Sequence, residues 1–428
     1  MIKRNRLTLH SCVISLIIFM GVFNFYIPGV GPALYGAFLL SLFFIVFNIK
    51  RLSGNWNLIS KAYASFTLKY ILPFSLIMAL VTFRTLFEGG IDTTYLVSLT
   101  KILLFSIVAT LFAVCIFISE KVESLSDINR HIYRITLIQS LIIITAILIP
   151  SFSEVIKTLQ NNDANNSSLV SEGLRGVALS SMQFYALACY FCVVLILLAN
   201  DFVKKNTSIL YTSILLLCIA ASSIFISRTA ILGVVIFFLF IFNPFSRFSK
   251  KRSIILLMIF IGFGCLALLF SFLAFPDQLA VIQEKVLPWA FEIIYKYNDT
   301  GGVSTASTDE LKGMYFALQE HTFIFGDGLY AGSEEGTYYM ATDAGYMRPT
   351  LYGGIFLILS MVYVWFYWLK KICILEKSNT LLLALFLLSL ALQYKGEFII
   401  VNYCTSIIFV LLLMASFLIN AKYNGRVI

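Results

Sequence analysis

"TDAGYMRPTLYGGIFLILS", residues 342–360, decides the fold. A turn marked by Gly345 and Pro349 carries an acid, Asp343, and an arginine, Arg348. The chain then runs straight into an apolar stretch of about twenty residues, the length a helix needs to cross roughly 30 Å of hydrocarbon. The same unit, a polar turn followed by a long apolar run, repeats from end to end. The 428 residues are 60% hydrophobic and only 12% charged. No soluble domain needs that much apolar surface, so the composition predicts an all-α polytopic membrane protein.

Breaks at charged loops predict twelve spans. They lie near 9–27, 30–49, 69–88, 95–118, 134–150, 181–199, 207–226, 228–242, 253–275, 349–369, 379–394 and 398–420. The first run lacks a small-residue cleavage site and reads as an uncleaved span. With the N-terminal "MIKRNR" in the cytoplasm, 21 of the 31 Lys and Arg fall on the cytoplasmic side and 17 of the 22 acids on the other. That asymmetry obeys the positive-inside rule, so the net charge of +9 reflects topology. No basic stripe is interleaved with exposed aromatics, which argues against a nucleic-acid partner.

Two segments are too polar to span, 151–180 and 276–348, and both are predicted outside. The chain thus divides into spans one to nine (1–275, with a loop at 151–180), a large structured loop (276–348), and three last spans with a tail (349–428). Leu279, Ile282, Val286, Trp289 and Ile293 predict an amphipathic helix over 278–296, kinked at Pro288. "NDTGGVSTAS" (298–307) reads as a linker. Ser307 and Glu310 form a capping box that opens a second helix, with Leu311, Met314, Tyr315 and Leu318 on its apolar face. "FGDG" (325–328) ends the helical part.

Four arginines lie on or near the predicted outer side: Arg84, Arg175, Arg228 and Arg348. An arginine at the bilayer needs a partner or a function. Arg84 has Glu88 one turn on as a local ion-pair partner, Arg228 is placed to snorkel, and Arg175 is otherwise a solvated loop residue. Guanidinium groups keep their charge and grip phosphate with two parallel bonds, so converging arginines suit a lipid-linked pyrophosphate. His321 is the one histidine outside, and helix C-terminal capping is its simplest role. With one outer histidine and no outer cysteine, no metal site is expected. The Cys189–Cys192 CxxC lies inside a span and reads as packing.

"LRGVALSSMQFYALA" (174–188), "SRTAILGVVIFFLF" (227–240), and "MYFALQEHTFIFGDGL" (314–329) with "TDAGYMRPTLYGGIFLIL" (342–359) together resemble bacterial O-antigen polymerases and O-antigen ligases. The likeness covers about 170–370, and the N-terminal third only by topology. It implies glycosyl transfer from undecaprenyl-pyrophosphate-linked oligosaccharide, without cofactor, at the periplasmic face of the inner membrane. A chain-length regulator protein in that membrane is an implied partner. Arg175 and Arg348 would hold the pyrophosphate, with Arg228, Arg84, Lys312 and His321 in support. Asp343 would take the acceptor's proton, its alternative being a helix N-cap. Lys312 stands where the family often has arginine, and Asp343-Ala344 where ligases often carry His-Asn, which favours a polymerase. A flippase for the same lipid-linked sugars also suits twelve spans.

Overall fold

The computed structural model describes residues 9–87, 92–160, 174–243, 250–301, 304–334 and 336–424. The chain is a helical membrane protein: among the described residues eight helices are long and apolar enough to cross a bilayer. They are Trp56–Phe87, Thr94–Ser119, Leu125–Leu148, Phe184–Val203, Ile209–Ile226, Lys250–Ala274, Met347–Glu376 and Tyr403–Tyr423. Four shorter apolar helices, Leu9–Phe23, Ala33–Phe47, Arg228–Ile241 and Asn379–Lys395, fall where the remaining expected runs lie. Lys250–Ala274 shows why lipid is needed. Met258, Ile261, Leu266, Phe270 and Leu273 all point away from the protein, a surface that water alone would not tolerate.

Contacts divide the chain into two compact units that are not consecutive in sequence. The first comprises Met1–Phe47 and Ser126–Val303, the second Asn48–Leu125 and Ser304–Ile428. The 276–348 stretch is therefore shared, its first part belonging to one unit and its second to the other.

In the first unit, Phe184–Val203 is the buried centre, with every residue from Leu187 to Phe202 enclosed. It packs against Arg228–Ile241 at Gly233, where a Cβ would stand 2.8 Å from the Cys192 Cα. Cys192 donates from its thiol to the Thr229 carbonyl at 3.3 Å, so the CxxC is a close helix crossing. Leu125–Leu148 starts about nine residues before the expected apolar run. Its polar first turns find partners inside the unit: Asn129 and Tyr133 donate to Asp201 at 2.9 and 2.7 Å, and His131 meets Ser15 at 2.9 Å, although Asn129 Oδ1 and His131 Nε2 are buried without a hydrogen bond among the described residues.

In the second unit, Tyr403–Asn424 is buried along most of its length. Trp56–Phe87 runs through a π-helical turn at Thr67–Ile71, beside which Trp368 stacks on Tyr70 at 4.4 Å and donates to the Lys69 carbonyl at 3.0 Å.

The loop helices differ from expectation in detail. The 278–296 helix is Pro276–Val281, a π-helical turn at Ile282–Val286, Leu287–Ala290, and then Glu292–Thr300 after a break at Phe291. The second helix is Ala306–Gly313, capped by Thr305, whose hydroxyl accepts from the Thr308 N–H at 3.1 Å. The Ser307–Glu310 box is thus displaced by a threonine two residues earlier. Met314, Tyr315 and Leu318 lie beyond the helix, in a closing turn and irregular chain packed on Ala344, Met347 and Leu351. The 161–173 part of the first loop, 302–303 of the linker, and Glu88 lie outside the described residues.

Candidate functional site

The quoted stretch forms an interrupted helix. Met347–Glu376 loses helical geometry at Gly353 and Gly354, the latter at φ 70° and ψ −172°, a conformation open to glycine and strained for other residues. The break frees carbonyls that the loop then uses: Asp327 N–H donates to Leu351 O at 2.6 Å and Gly328 N–H to Tyr352 O at 3.0 Å. The approach is close on both sides. A Cβ on Gly354 would stand 2.0 Å from Ile324 O, and one on Gly326 2.4 Å from Tyr352 O. Arg84 completes the junction by donating to Gly326 O at 2.6 Å. An apolar cavity of about 370 Å³ lies beside it, with Arg84 and His321 as its basic groups. His321 stands in the first turn of Glu320–Phe325, so it is not the C-terminal cap of the preceding helix, which ends at Gly313.

Arg348, in the first turn of the interrupted helix, is nearly enclosed. Its guanidinium lies between the rings of Tyr330 and Tyr338, 3.9 and 4.0 Å from their centroids, and pairs with Glu397 at 2.6 Å. Tyr330 donates its hydroxyl to the same carboxylate. Burial first, and then the Glu397 charge, hold that phenol far above its usual range, so it remains a donor. The backbone at Tyr330 is fixed as well. Asp92 accepts from the Tyr330, Ala331 and Thr94 N–H groups at 2.6, 2.8 and 2.9 Å. Burial would raise the Asp92 carboxyl, but these bonds prevail and keep it below its usual value.

Asp343 is exposed, and its carboxylate is met by its own backbone N–H. It does not cap the next helix, which begins at Met347 without any side-chain cap. Crowding by the protein raises its carboxyl above the usual range; nearby Glu310 adds to this and Arg348 opposes it. Glu397 is raised too, first by burial and further by Asp343, against the pull of Arg348 and Tyr330. Lys312 is exposed and pairs with Asp309 at 3.3 Å in its own helix.

Arg175 and Arg228 belong to the first unit. The chain around Arg175 is irregular but well tied. Gln160 donates to the Gly176 and Ala178 carbonyls at 2.8 and 2.7 Å, and Gln183 to those of Ala178 and Ser180 at 2.7 Å each. Arg175 is thereby set between two rings, 4.6 Å from Phe184 and 4.4 Å from Trp289. Arg228 approaches the same indole at 5.1 Å and pairs with Glu292. It is the first residue of Arg228–Ile241, with Ser227 as cap, and so sits at the positive end of a helix dipole where a cation is disfavoured. Arg175 has no carboxylate partner among the described residues. Burial, then the like charge of Arg228, push its guanidinium down to about 10. Two cations thus share one indole, with Glu292 as the carboxylate on one of them.

Sequence reading located these arginines but missed Glu292, Glu397, Tyr330, Tyr338 and Asp92. No family model matches the chain, and no curated protein matches it. Among the described residues no cluster of His, Cys, Asp and Glu is arranged to hold a metal ion.

Proposed function

We propose that this chain polymerises undecaprenyl-pyrophosphate-linked oligosaccharide repeats into surface polysaccharide at the periplasmic face of a bacterial inner membrane. It would do so as a twelve-span glycosyltransferase with the 276–348 loop in the periplasm. The observation that carries the reading is the Arg175–Trp289–Arg228 cradle. It holds more positive charge than its carboxylate neutralises, in a partly dry setting where an anion is favoured.

In the reaction, the anomeric C–O bond to the pyrophosphate breaks and its electron pair leaves with the lipid pyrophosphate. The acceptor hydroxyl oxygen forms the new bond, and its proton passes to a carboxylate. Arg175 and Arg228 are assigned to the charge that grows on the leaving group, which is where fixed cations accelerate such a step. Asp343 is assigned the proton, because it is exposed and its carboxyl is raised above the ordinary carboxylate value. Arg348, already engaged with Glu397, is assigned to holding the loop that carries Asp343. Arg84 and His321, at the apolar cavity, are assigned to lipid-linked substrate, and Lys312 to a supporting charge.

The interrupted helix at Gly353–Gly354 favours a second reading, a flippase for the same lipids, since transporters place substrates at broken helices. An O-antigen ligase would use the same chemistry on a lipid A-core acceptor. Deletion of the gene separates the polymerase from the other two. Loss of a polymerase leaves single-repeat caps on a polysaccharide gel, whereas loss of a ligase or flippase removes the polysaccharide from its acceptor. A reporter fused at Gly301 tests the orientation, and a cytoplasmic result would overturn it.

A further inference from the structure

Glu292 opens a helix that is separated from what precedes it. Between Pro276 and Thr300 the helix is widened to π geometry at Ile282–Val286 and broken at Phe291, where φ is −108° and ψ 29°. Pro288 gives the reason. It has no N–H for the Glu284 carbonyl and its ring crowds that turn, so the turn expands. A helix with two interruptions this close changes the angle of its last segment with few hydrogen bonds at stake. Glu292 rides on that last segment, while Trp289 stays on the turn before the break.

The two arginines on Trp289 are treated unequally. Arg228 is paired with a carboxylate, and Arg175 is not. Arg228 and Glu292 keep 22% and 27% of their side-chain surface exposed, so water is at hand to receive either group when the pair opens. A phosphate entering the cradle would bring negative charge against Glu292, and the two anions would compete for one guanidinium.

We propose that Glu292 is a resident anion that occupies Arg228 while the cradle is empty and yields it only to a ligand able to reach both arginines. The proposal rests on the reading of the Arg175–Trp289–Arg228 cradle as an anion site. It makes Glu292 a competitor that any anion must displace from Arg228. A single phosphate that merely replaces Glu292 exchanges one anion for another. A pyrophosphate spans to Arg175 as well and gains a contact that Glu292 never made, which offsets the displacement. Glu292 thus weakens occupation of the cradle by every anion, and the reach to Arg175 favours pyrophosphate.

Calorimetry on the purified full chain, with inorganic pyrophosphate and inorganic phosphate as probes, tests this. Glu292→Gln keeps the shape and removes the charge. It should tighten pyrophosphate and phosphate alike by about 2- to 5-fold, the value of a partly exposed ion pair. Glu292→Asp should restore the wild-type affinities, and in an Arg228→Gln background Glu292→Gln should change neither. A purely structural Glu292 would shift both affinities downward together. If Glu292→Gln weakens pyrophosphate or leaves both probes unchanged, while Arg175→Ala abolishes binding, the resident-anion role is overturned and the cradle stands. If wild type and Arg175→Ala fail alike to bind pyrophosphate, the cradle reading falls and this proposal with it.

Discussion

The guanidinium of Arg348 lies 3.9 Å from the centre of the Tyr330 ring, and both side chains end on the Glu397 carboxylate. One tyrosine therefore holds a buried cation by its face and a buried anion by its hydroxyl. Since Asp92 fixes the same residue's backbone, Tyr330 ties the loop to three separate parts of its unit.

Removing either charge of this pair strands the other. Arg348→Met and Glu397→Leu should each destabilise the protein by about 3–5 kcal/mol, and the double variant by clearly less than their sum. Thermal unfolding of the purified protein measures this, and additive losses would show that the pair is not a unit.

The part of this arrangement legible in sequence was the polar turn and the arginine in it. Apolar runs mark helices because each span must bury or present one kind of surface, and that signal is local. Glu397 lies 49 residues from Arg348 in a short turn between two apolar runs, and no local pattern distinguishes it from a solvated loop acid. Tyr330 and Tyr338 read as ordinary loop aromatics for the same reason. The early start of Leu125–Leu148 was hidden because its polar turns bond to Ser15 and Asp201, far away in the chain. The place of His321 was hidden because the helix ends at Gly313 and the chain to Gln319 is irregular, although its apolar spacing is compatible with a helix.

Gly354 should not accept a side chain. A methyl group there would meet Ile324 O, at a φ that costs a non-glycine residue about 1–3 kcal/mol even in open space. Gly354→Ala should release the Ile324–Gly328 segment and speed its cleavage in limited proteolysis. Wild-type protection in that variant would mean the helix break does not anchor the loop.

Asp343 separates a chemical role from a structural one. It caps no helix and its only hydrogen bond among the described residues is to its own backbone N–H, which asparagine also accepts, so Asp343→Asn should leave the melting temperature near wild type. Turnover should drop by about 10²–10⁴-fold if the carboxylate takes the proton. The pH profile gives an independent check. A general base works deprotonated, and crowding raises this carboxyl, so activity should fail on acidification at a pH above the usual carboxylate range. An acid limb that persists unchanged in Asp343→Asn would assign the proton elsewhere, with Glu397 the next group to test.

Arg175 is the variant on which the functional reading turns. Its guanidinium is planar and rests between Phe184 and Trp289, so geometry and charge are both at stake. Arg175→Ala removes both and should reduce turnover on lipid-linked repeats by about 10²–10³-fold, as loss of a fixed charge at a leaving group does. Arg175→Lys keeps the charge but neither stacks as a plane nor donates two parallel bonds, so it should recover only part of that loss. A charge-only role would let lysine restore full activity, and a packing role would make Arg175→Met the better substitute. The order Arg above Lys above Met, measured on folded protein, is the outcome that a pyrophosphate-holding arginine requires. Met equal to or above Lys would move the pyrophosphate away from this cradle.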